Sequence, residues 1–199
     1  MPAYHALPVL ENLGKQPIHH PATERQLRID DPAVAVINDF AMGEPHMVDN
    51  DLPVTAARRL MAAVHLPWHL VIDKSGDCIG LITLKTILGK KALATANEMG
   101  TRLDDILVRD IMQPFARLRC LHLRELQRAR VGDVLETLTR ERAVHLLVVE
   151  DQDRRPGHTR VRGLIAADQV ARALNVSLHY GTQAHTFLEI VHAVHGTFD

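Results

Sequence analysis

Val131-Gly-Asp-Val-Leu-Glu-Thr-Leu138, His145-Leu-Leu-Val-Val-Glu150 and Val161-Arg-Gly-Leu-Ile165 decide the fold, because the same succession stands earlier in the chain. The earlier counterparts are Val54-Thr-Ala-Ala-Arg-Arg-Leu-Met61, His69-Leu-Val-Ile-Asp73 and Cys78-Ile-Gly-Leu-Ile82. In the first member of each set the apolar residues step by three and then four (Val54, Ala57, Met61; Val131, Val134, Leu138), which is one face of a helix. The second member is a short Val- and Ile-rich run closed by an acid, the pattern of a buried strand. The third contains an identical Gly-Leu-Ile. The offset is 77 residues at the helix (54 to 131) and 83 at the Gly-Leu-Ile strand (80 to 163). The difference falls between the two strands, in Lys74-Ser-Gly-Asp-Cys78 against the longer Asp151-Gln-Asp-Arg-Arg-Pro-Gly-His-Thr-Arg160. Both stretches are dominated by turn formers, so each strand pair reads as a hairpin, and the insertion lies where insertions are tolerated.

Outward from this kernel, a closing helix begins near Thr83 in one copy and Ala166 in the other, with Ile87 and Val170 in matching inward positions. Upstream, Val36-Ile-Asn-Asp-Phe40 echoes Ile111-Met-Gln-Pro-Phe115 at an offset of 75 (36 to 111). Each copy is therefore a lead-in, a first strand, a helix, a two-strand hairpin and a closing helix. The expected division is an N-terminal arm at 1–30, one unit at 31–97, a second at 107–176 and a tail at 177–199. Ala94–Leu107 is a polar, Gly-containing connection. In the tail, Phe187, Ile190, Val191 and Val194 mark an amphipathic helix of about three turns. A helix that short is marginal alone, so it is expected to dock on the module or on a partner subunit.

The bulk composition excludes several functions. A net charge of -1 gives no global field for nucleic acid or an anionic membrane. Cys78 and Cys120 are the only cysteines, far apart and without a CxxC, which argues against a zinc ribbon or disulfide framework and fits a reducing cytoplasm. Met1–Gly14 lacks the basic start and apolar run of a signal peptide. No stretch of eighteen apolar residues stands in the sequence, so no membrane span is expected. There is no Gly-x-Ser-x-Gly, no phosphate loop and no pair of acids at catalytic spacing, so the expectation is that the chain is not an enzyme.

Thirteen histidines raise the question of a metal. His65 and His69 are four apart, but Pro67 and Trp68 make this a helix-to-strand junction, where packing is the favoured role. His19-His20 stands in a polar region, and His192 and His195 have no Cys or acid nearby beyond Glu189. No complete metal set is visible. Arg117–Arg130 carries five arginines, and its initial alternation suggests an edge or half-buried strand. A nucleic-acid-binding face is the alternative to a solvated one, and the absence of interleaved aromatic residues argues against it.

The ordered set formed by Val108-Arg-Asp-Ile-Met-Gln-Pro114, Val131-Gly-Asp-Val-Leu135, His145–Glu150 and Val161–Ile165, present twice, resembles a tandem pair of CBS domains, the cystathionine β-synthase type, as found in Bateman-type regulatory modules. The resemblance implies an α/β fold of the α+β type: two β-α-β-β-α units packed sheet to sheet about a pseudo-twofold axis, with two clefts between them. It also implies an AMP, ADP, ATP or related adenosyl ligand, no obligatory cofactor, a homodimer and an effector protein in trans.

The family's ligand signature is a Thr or Ser after the second hairpin strand and an Asp three residues later. The helix N-terminus and the hydroxyl would donate to phosphate, and the acid would accept from ribose hydroxyls. Here the positions are Thr83 and Thr86 in the first copy, and Ala166 and Gln169 in the second. Asp168 is one residue off, about 100° around the helix. The ribose acid is thus replaced in both copies. Thr83 can serve as a helix cap, a ligand donor or both. By the same resemblance His65 and His69 border the cleft. The first cleft is the better candidate and the second is expected to be degenerate. The functional expectation is a non-catalytic sensor binding a nucleotide-like ligand, with a ligand-free dimerisation scaffold and a nucleic-acid-binding module using Arg117–Arg130 as alternatives.

Overall fold

The computed structural model describes residues 27–152 and 159–174. The first 26 residues with His19 and His20, the hairpin residues 153–158, and the tail with its expected helix, His192 and His195 lie outside the described residues.

The first repeat contributes β2 (Met47–Asp49), α1 (Val54–Ala63), β3 (Trp68–Ile72), β4 (Cys78–Thr83), α2 (Leu84–Leu88) and α3 (Lys90–Met99). The second contributes β6 (Arg119–His122), α5 (Leu123–Leu126), α6 (Val131–Arg140), β7 (His145–Asp151), β8 (Thr159–Ala166) and α7 (Ala167–Ala173). In each, the first two strands are parallel and the next two antiparallel. Parallel neighbours need a crossover, and α1 and α6 supply it. The repeat extends to irregularities. The register slips between Val71 and Ile72 in one hairpin and between Val148 and Val149 in the other. The only non-glycine residues with positive φ among those described are His65 (54°) and Arg142 (49°), again 77 apart, each in the turn after its helix.

The lead-ins are exchanged. β1 (Asn38–Asp39), which precedes the first repeat, pairs with β8 of the second, while β5 (Gln113–Pro114), after the short helix α4 (Val108–Ile111), pairs with β4 of the first. The two sheets thus run β2-β3-β4-β5 and β1-β8-β7-β6. This exchange explains the identical glycine. A Cβ on Gly80 would stand 2.6 Å from the Gln113 carbonyl oxygen, and one on Gly163 would stand 2.6 Å from that of Asn38. Only glycine lets the incoming lead-in lie that close. Arg162 fastens the second exchange: its Nε and Nη2 donate to the two Asp39 oxygens at 2.7 and 2.9 Å, and its Nη1 donates to Glu150 at 2.8 Å.

Strand alternation sorts the core into three layers. Met61, Val71, Ile82 and Ile111 pack under the helices of the first repeat. Val134, Leu138, Val148 and Ile165 do so in the second. Between the sheets lie Trp68, Leu70 and Leu81 of one with Leu147, Leu164 and Ala166 of the other, flanked by Phe40 and Phe115. This last layer joins the repeats and sets the position of the site.

Candidate functional site between the sheets

The edges of the central layer carry the polar groups. Thr83 ends β4 as the N-cap of α2: its Oγ1 accepts the Thr86 amide at 3.1 Å and lies 2.9 Å from the Thr86 Oγ1. Thr83 and Thr86 are thus brought together and hydrogen-bond each other. In the second repeat Ala166 is the bare N-cap of α7. Gln169 and Asn38 exchange amide hydrogen bonds across the two repeats, so the ribose-acid position of the second cleft is tied to the exchanged strand β1. Asp168 turns away from Gln169 to pair with Arg172 at 3.1 Å.

The two histidines part company. His65 is exposed in its left-handed turn. His69 alternates with Trp68 and Leu70, so it faces the helix layer beside Ile82 and Val71 and not the space between the sheets. It is fully buried, neither ring nitrogen has a hydrogen-bond partner among the described residues, and the His46 ring stands 5.5 Å away. Burial pushes its pKa down, with a smaller push from His46. His145 occupies in β7 the place of Trp68 in β3, and burial lowers its pKa to about 4 against a weaker opposing pull from Asp168.

A recess of about 340 Å³ opens between the repeats, lined by Asn38, Asp39, Phe40, Met42–His46, Leu66 and Trp68. Its lining residues all fall within 38–68: Trp68 belongs to the first sheet, and Asn38 and Asp39 form β1 at the edge of the second, so the recess lies between the two sheets. The sequence reading missed its walls. The echo of Val36–Phe40 in Ile111–Phe115 was the available signal, since a repeated lead-in has a repeated task.

Three arginines of the 117–130 stretch are ion-paired with acids. Its start is the edge strand β6, and Arg119 pairs with Glu141 at 3.0 Å, Arg130 with Asp30 at 2.8 Å and Arg124 with Asp151 at 3.9 Å. Among the described residues no group of three or more metal-ligating side chains is assembled, and no helix is long and apolar enough to cross a membrane.

Residues 37–92 match the CBS domain family model. With the repeat, the exchanged lead-ins and the two facing sheets in place, that match decides the fold. The chain has the fold of a tandem CBS pair. Solved CBS structures share its architecture. A conserved CBS domain protein of unknown function from Thermoplasma acidophilum superimposes with a TM-score of 0.51 at 22% identity, covering 82% of this chain and 79% of that one. CBSX2, a protein of Arabidopsis thaliana solved in complex with AMP, gives 0.50 at 16% identity over 72% of this chain and 95% of that one. The CBS domain of a bacterial CNNM/CorC family Mg2+ transporter, in complex with ATP, gives 0.50 at 13% identity over 75% and 91%. No curated protein matches the sequence.

Proposed function

We propose that this CBS pair, with units at 31–97 and 107–176, is a non-catalytic sensor. It takes an adenosine-nucleotide-like ligand (AMP, ADP, ATP or a related adenosyl compound) between its repeats and acts as a cytoplasmic homodimer on a protein partner in trans. The observation that carries this reading is the 340 Å³ recess between Trp68 and Asn38, which is within the range of small-molecule sites and lies where the two repeats meet. A ligand there touches both sheets, so it can favour one relative arrangement of the repeats over another, which is the requirement for a sensor. The AMP and ATP carried by two structural relatives support the choice of ligand class. Asn38 lines the recess and offers an amide, and Thr83, the cross-strand neighbour of Trp68, with its partner Thr86 supplies the hydroxyl candidates that the family resemblance implies.

The mutual satisfaction of these groups favours a second reading, a ligand-free scaffold. The Thr83–Thr86 and Asn38–Gln169 pairs already hydrogen-bond each other without a ligand. Thermal unfolding with AMP, ADP and ATP separates the two. A sensor at a hundredfold excess over Kd gains about 2.7 kcal/mol, or roughly 5–10 °C for a chain of this size. The gain shrinks in Thr83→Ala, Thr86→Ala or Asn38→Ala. No shift with any of the three nucleotides at millimolar concentration assigns the module to the scaffold reading.

A further inference from the structure

The two repeats correspond element by element until their closing helices. In the first, α2 is followed after Gly89 by α3, which lies on the lead-in helix α4. Ala92 and Ala96 are buried there with Val108 and Ile111, and the Lys91 ammonium donates to the carbonyls of Ile111 and Met112 at 2.7 and 3.2 Å. The counterparts in the second repeat are α7 for α2 and the short 3-10 turn Ala33–Val36 for α4. Between them runs a groove of about 700 Å³, lined by Leu27, Val36, Ile37 and Asn38 from the lead-in side and by Gln169, Arg172 and Ala173 of α7. Nothing among the described residues covers it as α3 covers the first repeat.

The groove ends where the described chain ends. Ala173 and Arg172 form its rim, Leu174 is the last described residue, and 25 residues follow (175 to 199). Their sequence does not repeat the small residues of α3. It supplies instead the bulkier set Phe187, Ile190, Val191 and Val194, thirteen or more positions beyond Leu174 (174 to 187), a reach ample for a chain to turn back. Seating an apolar segment against Leu27, Val36 and Ile37 removes apolar surface from water on both sides, which is the main favourable contribution to such contacts.

We propose that the groove between the Ala33–Val36 turn and α7 is the seat of the chain's own segment 175–199, placed through Phe187, Ile190, Val191 and Val194. That seat is distinct from the recess proposed for a ligand.

Hydrogen exchange on the full chain tests this. Serine at all four apolar positions (Phe187→Ser, Ile190→Ser, Val191→Ser, Val194→Ser) is expected to speed amide exchange at least tenfold in peptides spanning 33–38 and 167–173, while α1 to α3 keep their rates. Unchanged rates at 33–38 and 167–173 overturn the proposal. So does protection in the unsubstituted chain that falls on dilution, since the occupant would then be a second copy. As a measurement independent of the serine variant's folding, Ala35→Cys with Val191→Cys, in a chain carrying Cys78→Ser and Cys120→Ser, is expected to form an intramolecular disulfide in oxidant. Only intermolecular species, or none, refute the seat.

Discussion

Replacing Gly163 by alanine tests the exchange of lead-ins at a single atom. The added Cβ would meet the Asn38 carbonyl oxygen at 2.6 Å and the Ile37 side chain at 2.6 and 2.8 Å, against the 3.4 Å at which ordinary contact begins. The carbonyl must therefore retreat by about 0.8 Å (3.4 less 2.6). It is not free to do so. Asn38 and Asp39 are in register with Leu164 and Gly163, the Phe40 amide donates to the Arg162 carbonyl at 2.9 Å, and Arg162 holds both Asp39 oxygens. Overpacking of this kind costs about 1–3 kcal/mol. Alanine also stiffens the unfolded chain, which returns about 0.4–1 kcal/mol. The expected net loss is about 1–2 kcal/mol, read as a fall in melting temperature of roughly 2–8 °C for a chain of this size. Gly80→Ala is expected to behave alike against the Gln113 carbonyl, whereas Gly43→Ala, with nothing within 4 Å, serves as the neutral control. Urea unfolding of the three variants supplies the numbers. Gly163→Ala and Gly80→Ala as stable as Gly43→Ala would refute the exchanged pairing.

Two further outcomes concern pH. Hydrogen bonds from Arg162 hold the Asp39 carboxyl below its usual range, and Glu150 is lowered too because the bonds from Arg160 and Arg162 outweigh its burial. A lowered folded pKa contributes stability that is present above the unfolded pKa and lost as pH falls through the folded one. Arg162→Leu should therefore destabilise the chain at pH 7, and the gap from the unsubstituted protein should narrow as pH drops below about 4; equal gaps at pH 7 and pH 3 in urea titrations would contradict this. His145, with a folded pKa near 4, stays neutral where the unfolded imidazole takes a proton. Stability should fall as pH drops from about 6.5 towards 4, with buried His69 adding in the same direction, and His145→Gln should flatten that slope. An unchanged slope in His145→Gln would show that the loss arises elsewhere.

The repeat was legible because it is written twice at constant offsets. Helix faces at Val54 and Val131 and the Gly-Leu-Ile strands fixed the elements, the hairpins and the place of the six-residue insertion. The exchange of lead-ins was not legible. Two-residue strands carry no periodicity, and the partners of Asn38 and Asp39 lie more than a hundred residues away. The glycine's identity was visible, but its reason, a carbonyl arriving from the other repeat, was not. Of the site, Thr83 and Thr86 were reached through the family resemblance and not from periodicity. The face of His69 was not legible, because a two-residue alternation can be read from either end until a neighbour such as Leu70 is known to be between the sheets. The Asn38–Gln169 bond and the recess are products of tertiary structure alone.

Trp68 is the only tryptophan in the sequence and lines the recess, so its fluorescence reports on the one place where the account locates function. Titration with AMP, ADP and ATP should give a saturable change in intensity or wavelength for at least one of them, and Leu66→Arg, which fills the recess, should abolish it. A signal that stays flat to millimolar nucleotide, or one that survives Leu66→Arg unchanged, would contradict the claim that the space between the repeats is a binding site.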